Sequence, residues 1–149
     1  MDIVFDHPYL RSEFDWLALD QMSNVGYFST AGVGPLPKPV LARADSFELL
    51  LESVLALPEC SEATIVYESQ HNISEWIAIA RRGLFAFDWR RNTSCYELIA
   101  KPTDICRCQA SANAMFFSVA VTLPQADFSI SNALCVAGDR LIARERLKG

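Results

Sequence analysis

The side chains best equipped for chemistry gather around the stretch from Arg81 to Trp89, RRGLFAFDW, which two further arginines follow. Asp88 sets a carboxylate beside the indole of Trp89, and Arg91 adds a guanidinium. Tryptophan and arginine are the residue types that most often anchor protein interfaces. Successive residues of a strand point to opposite faces, so Leu84, Ala86 and Asp88 should lie on one side and Phe85, Phe87 and Trp89 on the other. The aromatic side then packs inward and Asp88 faces away from it. Other reactive groups lack partners at a diagnostic spacing. Ser29, in FSTAG, is not in a G-x-S-x-G elbow. His7 beside Asp6, and His71 near Glu68 and Glu75, have no triad context. AGVGPLP contains G-x-G but neither the third glycine of a dinucleotide loop nor the Lys-Ser/Thr pair of a phosphate loop, and Lys38 is no substitute. Cys106 and Cys108 with Cys95 and His71 would number four metal ligands, yet the C-x-x-C pairing of zinc sites is missing. No catalytic residue, metal or cofactor is expected, and the balance of motifs favours binding over catalysis.

The charge distribution points the same way. Residues 1–80 hold twelve acids and three bases, residues 81–149 six acids and ten bases, for a net charge of −5. No Lys or Arg lies between Arg43 and Arg81, whereas Asp45, Glu48, Glu52, Glu59, Glu62, Glu68 and Glu75 all do. Phosphate-backbone binding needs a basic face, so nucleic acid is an unsuitable partner. A basic protein surface suits the acidic segment better. The start of the chain, MDIVFDHPYLRSEFD, lacks the basic and apolar regions of a signal peptide. The most apolar run, Ala112–Leu123, is too short to span a bilayer and no membrane association is expected. These features imply a soluble cytoplasmic protein, in which the five cysteines would be reduced thiols.

The elements that must position these groups follow from periodicity. DWLALD and VGYFST, joined by QMSN, predict an antiparallel hairpin over residues 15–30. AGVGPLPKP is a stiff, ordered loop. Asp45 or Ser46 caps a helix whose stripe is Phe47, Leu50, Leu51, Val54 and Leu55 and which Pro58 stops; Glu48 and Glu52 lie off that stripe. TIVYE is a short strand. Ser74–Ala80 and Leu84–Trp89 are expected to form a second hairpin turning at Arg81–Gly83, followed by a strand over Tyr96–Ala100. Met115–Leu123 fits either a strand or a buried helix segment, with Phe116, Phe117, Val119, Val121 and Thr122 favouring the strand, and Phe128–Val136 with Arg140–Leu147 reads as a final hairpin turning at Gly138. The sum is one α+β domain over residues 1–149, mainly an antiparallel sheet with one principal amphipathic helix packed on it.

The segments WLALD, FSTAGVGPLP, EWIAIARRGLFAFDW and YELIAKP, spanning about residues 14–102, resemble a set of small bacterial proteins, some of which are similar to immunity proteins of polymorphic toxin systems. Such proteins bind one cognate toxin and cover its active site, so the resemblance implies a binding protein and supplies no catalytic residue. The expected function is therefore non-enzymatic toxin binding. Glu48 and Glu52 would meet a basic toxin surface, Asp88, Trp89 and Arg91 would edge the interface, and Trp16 would anchor it if exposed. The alternative is a small hydrolase or ligand-binding protein with a pocket near the loop 31–39. A homodimer across a strand edge is compatible with either.

Overall fold

The computed structural model describes residues 2–67, 73–104 and 120–145. The fold is α+β, dominated by a curled, mostly antiparallel mixed sheet. In chain order the elements are β1 (Ile3–Val4), β2 (Asp15–Leu19), β3 (Val25–Ser29), β4 (Leu36–Pro37), α1 (Lys38–Ala42), a 3-10 turn (Ala44–Phe47), α2 (Leu50–Leu55), β5 (Ala63–Ile65), α3 (Ile73–Arg81), β6 (Phe85–Arg90), β7 (Cys95–Pro102), β8 (Val121–Thr122), β9 (Ser131–Ala137) and β10 (Arg140–Glu145). The strands of the large sheet run in the order β10-β9-β7-β6-β3-β2-β8, with β5 also on β7, while β1 and β4 pair separately.

The β2–β3 hairpin forms as its alternation predicts, with Trp16 opposite Phe28 and Leu17 opposite Tyr27. The carboxylate of Asp20 organises its turn, accepting from the backbone N–H groups of Met22 and Asn24 and from the Asn24 side chain. The β9–β10 hairpin also matches expectation, and Gly138 takes a positive φ of 65° in its two-residue turn. A turn of this kind needs a residue free of Cβ strain there.

Three expectations are corrected. Ser74–Ala80 is helix, not strand. Trp76, Ile79 and Ala80 are buried at the spacing of one helical face, with Ile73 packed against the same core. An apolar run this short fits either period, and helical pairing wins because Glu75 and Arg81 sit at the ends the helix dipole favours. Arg81–Gly83 therefore ends a helix, with Gly83 at φ 93° as its terminating residue. Consequently β6 does not form a hairpin with the preceding segment. It pairs parallel to β3, and α1, α2 and α3 lie in the crossover. The expected long helix over residues 45–55 breaks at Leu49, which adopts a left-handed conformation (φ 56°) between the 3-10 turn and α2, so α3 is the principal helix. Finally, Cys95 and Cys135 are disulfide-bonded rather than free, while Cys60 is a free thiol. The expected strand over Met115–Leu123 lies largely outside the described residues.

One face of the sheet is a continuous aromatic layer. Trp16 stacks on Phe28 at 4.2 Å and Phe28 on Phe87 at 4.6 Å. Phe128 closes over Phe28, Phe85 and Phe87. Contacts of this kind add roughly 0.5–1.5 kcal/mol each beyond area burial. The opposite face receives α3, where Trp76 meets Tyr27 edge-on.

The Gly/Pro loop is fastened to the aromatic layer. The Tyr96 hydroxyl donates to the Pro35 carbonyl at 2.6 Å, and His7 Nε2 lies 2.9 Å from the Gly34 carbonyl. A Cβ on Gly34 would come within 2.9 Å of both Trp89 Cγ and the Tyr96 hydroxyl. Neither ring can retreat from its core position, so Gly34→Ala should destabilise the protein by about 1–2 kcal/mol, read as a lower urea midpoint at unchanged slope. An unaltered midpoint would show that the loop is not clamped in this way.

Candidate functional site

Strand register builds the site. Asp15 pairs with Ser29, Ser29 with Asp88, and Asp88 with Glu97, so four polar residues form one row across β2, β3, β6 and β7. The row lies at the carboxyl ends of the parallel strands β3 and β6. Asp15 and Ser29 follow from the hairpin pairing, and Glu75 and Trp76 from the first turns of α3 above the row. Glu13, Ser29, Glu75 and Asp88, with Trp76 and Trp89, line a cavity of about 210 Å³ that also touches Ala31 and Arg90.

The electrostatics of this notch are unbalanced. Burial raises the Asp88 carboxyl to about 6; Arg90 partly opposes that rise, and the charges of Glu13 and Asp15 add to it. Asp15 is raised chiefly by burial, against the stabilising hydrogen bonds from Tyr27 and Ser29. Glu75 is raised by burial and by Asp15 and Glu13. Burial and the neighbouring Asp15 carboxylate hold the Tyr27 phenol protonated far above its ordinary range. Arg90 is the cation lining the cavity among the described residues. Its Nη2 is 3.9 Å from Asp88 Oδ2, and its Cζ sits 4.8 Å from the Tyr67 ring centroid. Nε and Nη2 of Arg90 are buried without a hydrogen-bond acceptor among the described residues. Glu97, in the same row, is instead neutralised by Arg144 at 2.9 Å.

The acidic segment read from the sequence adjoins the notch. Phe14, next to Glu13, meets Phe47 edge-on at 6.2 Å, and α2 packs against both β2 and α3. Glu48 and Glu52 are exposed on the bend at Leu49, whose apolar side chain is itself 69% exposed between them. An acidic elbow with an apolar tip thus flanks an acidic notch.

Of the residues singled out in the sequence, Glu48 and Glu52 are at the surface of the elbow and Asp88 is in the notch. Trp89 is 6% exposed and forms a wall of the notch, packed on Tyr96. Trp16 is fully buried, stacked on Phe28 with its Nε1 donating toward the Tyr96 hydroxyl; it is a core residue and cannot anchor a partner. Arg91 is exposed in the β6–β7 turn, and Arg90, not Arg91, reaches Asp88. Glu13, Asp15, Ser29, Glu75 and Arg90 were not singled out. Asp15 and Ser29 could have been, because they end the predicted hairpin opposite one another. Glu75 could not, because its segment was read as a strand.

His71, Cys106 and Cys108 lie outside the described residues, and among the described residues no group of three or more His, Cys, Asp or Glu is arranged to hold a metal ion. No described helix is long and apolar enough to cross a membrane. No protein-family model, curated protein or solved structure matches the chain.

Proposed function

We propose that the chain is a non-enzymatic protein-binding protein that engages a basic protein partner through the elbow and notch, and that this partner is a bacterial toxin for which it is the immunity protein. The observation that carries the binding reading is the excess of carboxylates at the notch, where Arg90 offsets only part of the rise at Asp88. Burial raises the proton affinity of Asp15, Glu75 and Asp88, and the charge of Glu13 adds to the rise at all three, an arrangement that costs stability in the free protein and would be relieved by an inserted Lys or Arg side chain. The exposed Glu48 and Glu52 extend the same negative potential outward, where it would steer a basic surface. The toxin assignment is supported by the resemblance of the segments between residues 14 and 102. A cytoplasmic location belongs to this reading, although stable disulfides are characteristic of oxidising compartments.

The double charge reversal Glu48→Lys/Glu52→Lys should weaken the complex at least about tenfold at low ionic strength, mainly through slower association, and the difference should shrink as salt rises. Surface-binding kinetics at two ionic strengths read both effects. Equal association rates for the variant and the unaltered protein would remove the elbow from the interface.

A second reading, a small-ligand site, is favoured by one observation. The notch adjoins Ala31 of the Gly/Pro loop and is lined by Arg90, whose buried Nε and Nη2 have no acceptor among the described residues. A ligand carrying both a cationic group for the carboxylates and an acceptor for Arg90 would raise the melting temperature in a thermal-shift screen of amino acids and polyamines.

A further inference from the structure

Cys95 and Cys135 stand directly opposite in the β7–β9 ladder and are joined across 40 residues of sequence. That ladder is short. It comprises the pairs Cys95–Cys135, Tyr96–Leu134 and Glu97–Ala133, whereas β9 and β10 pair along nearly their whole length. Besides the disulfide and that ladder, the described contacts that hold the β9–β10 hairpin include the Arg144–Glu97 ion pair, the Val136 N–H to the Ser94 carbonyl and the Ile3 N–H to the Asp139 carbonyl. Among the described residues the far side of β10 is a sheet edge, with Ile142 54% exposed. Leu134 is buried in the core, with Val136, Leu141 and Ala143 packed against it, so the hairpin is an edge unit held by a short ladder, this packing and one covalent fastening.

The two sulfurs are not equivalent. Cys95 is 3% exposed, while Cys135 is half-buried and so the more accessible residue of the two. Arg144 Nη1 lies 4.0 Å from Cys95 Sγ, where its charge favours a departing thiolate. We propose that the Cys95–Cys135 disulfide is a redox-operated clasp, and that a dithiol reductant releases the β9–β10 hairpin from β7. One thiolate of the reductant attacks Cys135 Sγ, forming a mixed disulfide and expelling the Cys95 thiolate beside Arg144. The second thiolate of the reductant attacks its own sulfur in the mixed disulfide and expels the Cys135 thiolate. The reductant leaves as its disulfide, having given two electrons, and both cysteine thiolates take up protons from solvent. With the hairpin released, the Cys95–Glu97 segment of β7 presents an unpaired edge. Its other side still pairs with β6, where Cys95 is opposite Arg90 and Tyr96 opposite Trp89. Release thus frees one side of the strand that backs the notch. The clasp stands on the strand register alone and does not depend on any partner.

Hydrogen exchange of the full chain, before and after dithiothreitol, tests the proposal. Amides from Leu134 to Ala143 should exchange about tenfold faster or more on reduction, with those of Val25–Phe28 and Phe85–Phe87 little changed. Reoxidation should restore protection, and Cys135→Ser should show the fast hairpin exchange without reductant. That variant separates this bond from any effect of reductant on other cysteines. Unchanged hairpin exchange after alkylation has confirmed free Cys95 and Cys135 would overturn the proposal. So would equal acceleration in every strand, which describes general destabilisation, or complete alkylation of both cysteines in the protein as isolated.

Discussion

Replacing Asp20 by Ala should cost about 3–5 kcal/mol of folding stability, the largest single effect expected outside the aromatic layer. Asp20 is 4% exposed and its carboxylate accepts from four N–H groups. Oδ1 serves the backbone of Met22 and Asn24 at 2.9 and 2.8 Å; Oδ2 serves the Asn24 side chain at 3.0 Å and the backbone of Phe128 at 2.8 Å. The last bond joins residues 108 positions apart and seats Phe128 on the aromatic layer. Alanine would leave the buried donors of Asn24 and Phe128 without acceptors, and bonds to a charged acceptor are worth about 1.5–3 kcal/mol each before compensation by water. Urea unfolding measures the loss. A change below about 1 kcal/mol would mean that water replaces the carboxylate without penalty and that Phe128 is positioned by packing alone.

The second large effect is a pH dependence centred on the notch. Asp88 rises from an ordinary 3.8 to about 6, primarily because burial penalises its charge. Between these values the folded chain holds a proton that the unfolded chain has released, so stability falls as pH rises through the window from about 4 to 6. The shift corresponds to about 2–3 kcal/mol, present as extra stability below the window and absent above it. Asp15 and Glu75 are displaced in the same direction and contribute alongside. Asp88→Asn cannot ionise. The stability gap between variant and unaltered protein should therefore change by about 2–3 kcal/mol in the variant's favour from pH 4 to pH 7. Parallel stability curves would show that Asp88 titrates as an ordinary surface carboxylate. The proposed binding would reverse the sense of the coupling, because an inserted cation favours the ionised carboxylate. Complex formation near pH 6 should thus release protons and tighten as pH rises.

How much of this was legible in the sequence varies with the range of the interaction. The β2–β3 and β9–β10 hairpins were readable because alternation and turn residues are local signals. Strand β6 was readable for the same reason, and its alternation correctly separated Asp88 from Phe85, Phe87 and Trp89. The sequence Trp76–Ala80 is apolar throughout and only a few residues long, so period 2 and period 3.6 fit it equally well. Reading it as strand concealed the crossover, the parallel pairing of β3 with β6 and the placement of Glu75 in the lining of the notch. Leu49 broke the expected helix through a backbone conformation that leucine does not advertise. The cysteine bond arose from register between strands distant in sequence, which neither spacing nor an odd count reveals. Burial of Trp16 was the outcome its place in a hairpin strand should have favoured, since a tryptophan facing an aromatic layer gains more from packing than from exposure.

The proposed function rests on the notch as a surface that receives positive charge, at a cost to the free protein that a partner would relieve. The most direct measurement is affinity capture from cells of the source organism, comparing the unaltered chain with Glu48→Lys/Glu52→Lys at low and raised salt, with captured proteins quantified by mass spectrometry. The account predicts one stoichiometric protein with a basic surface, retained by the unaltered chain at low salt, released as salt rises and missing from the variant. A partner held equally by both chains and indifferent to salt, or no stoichiometric partner from cells shown to be making both proteins, would contradict it.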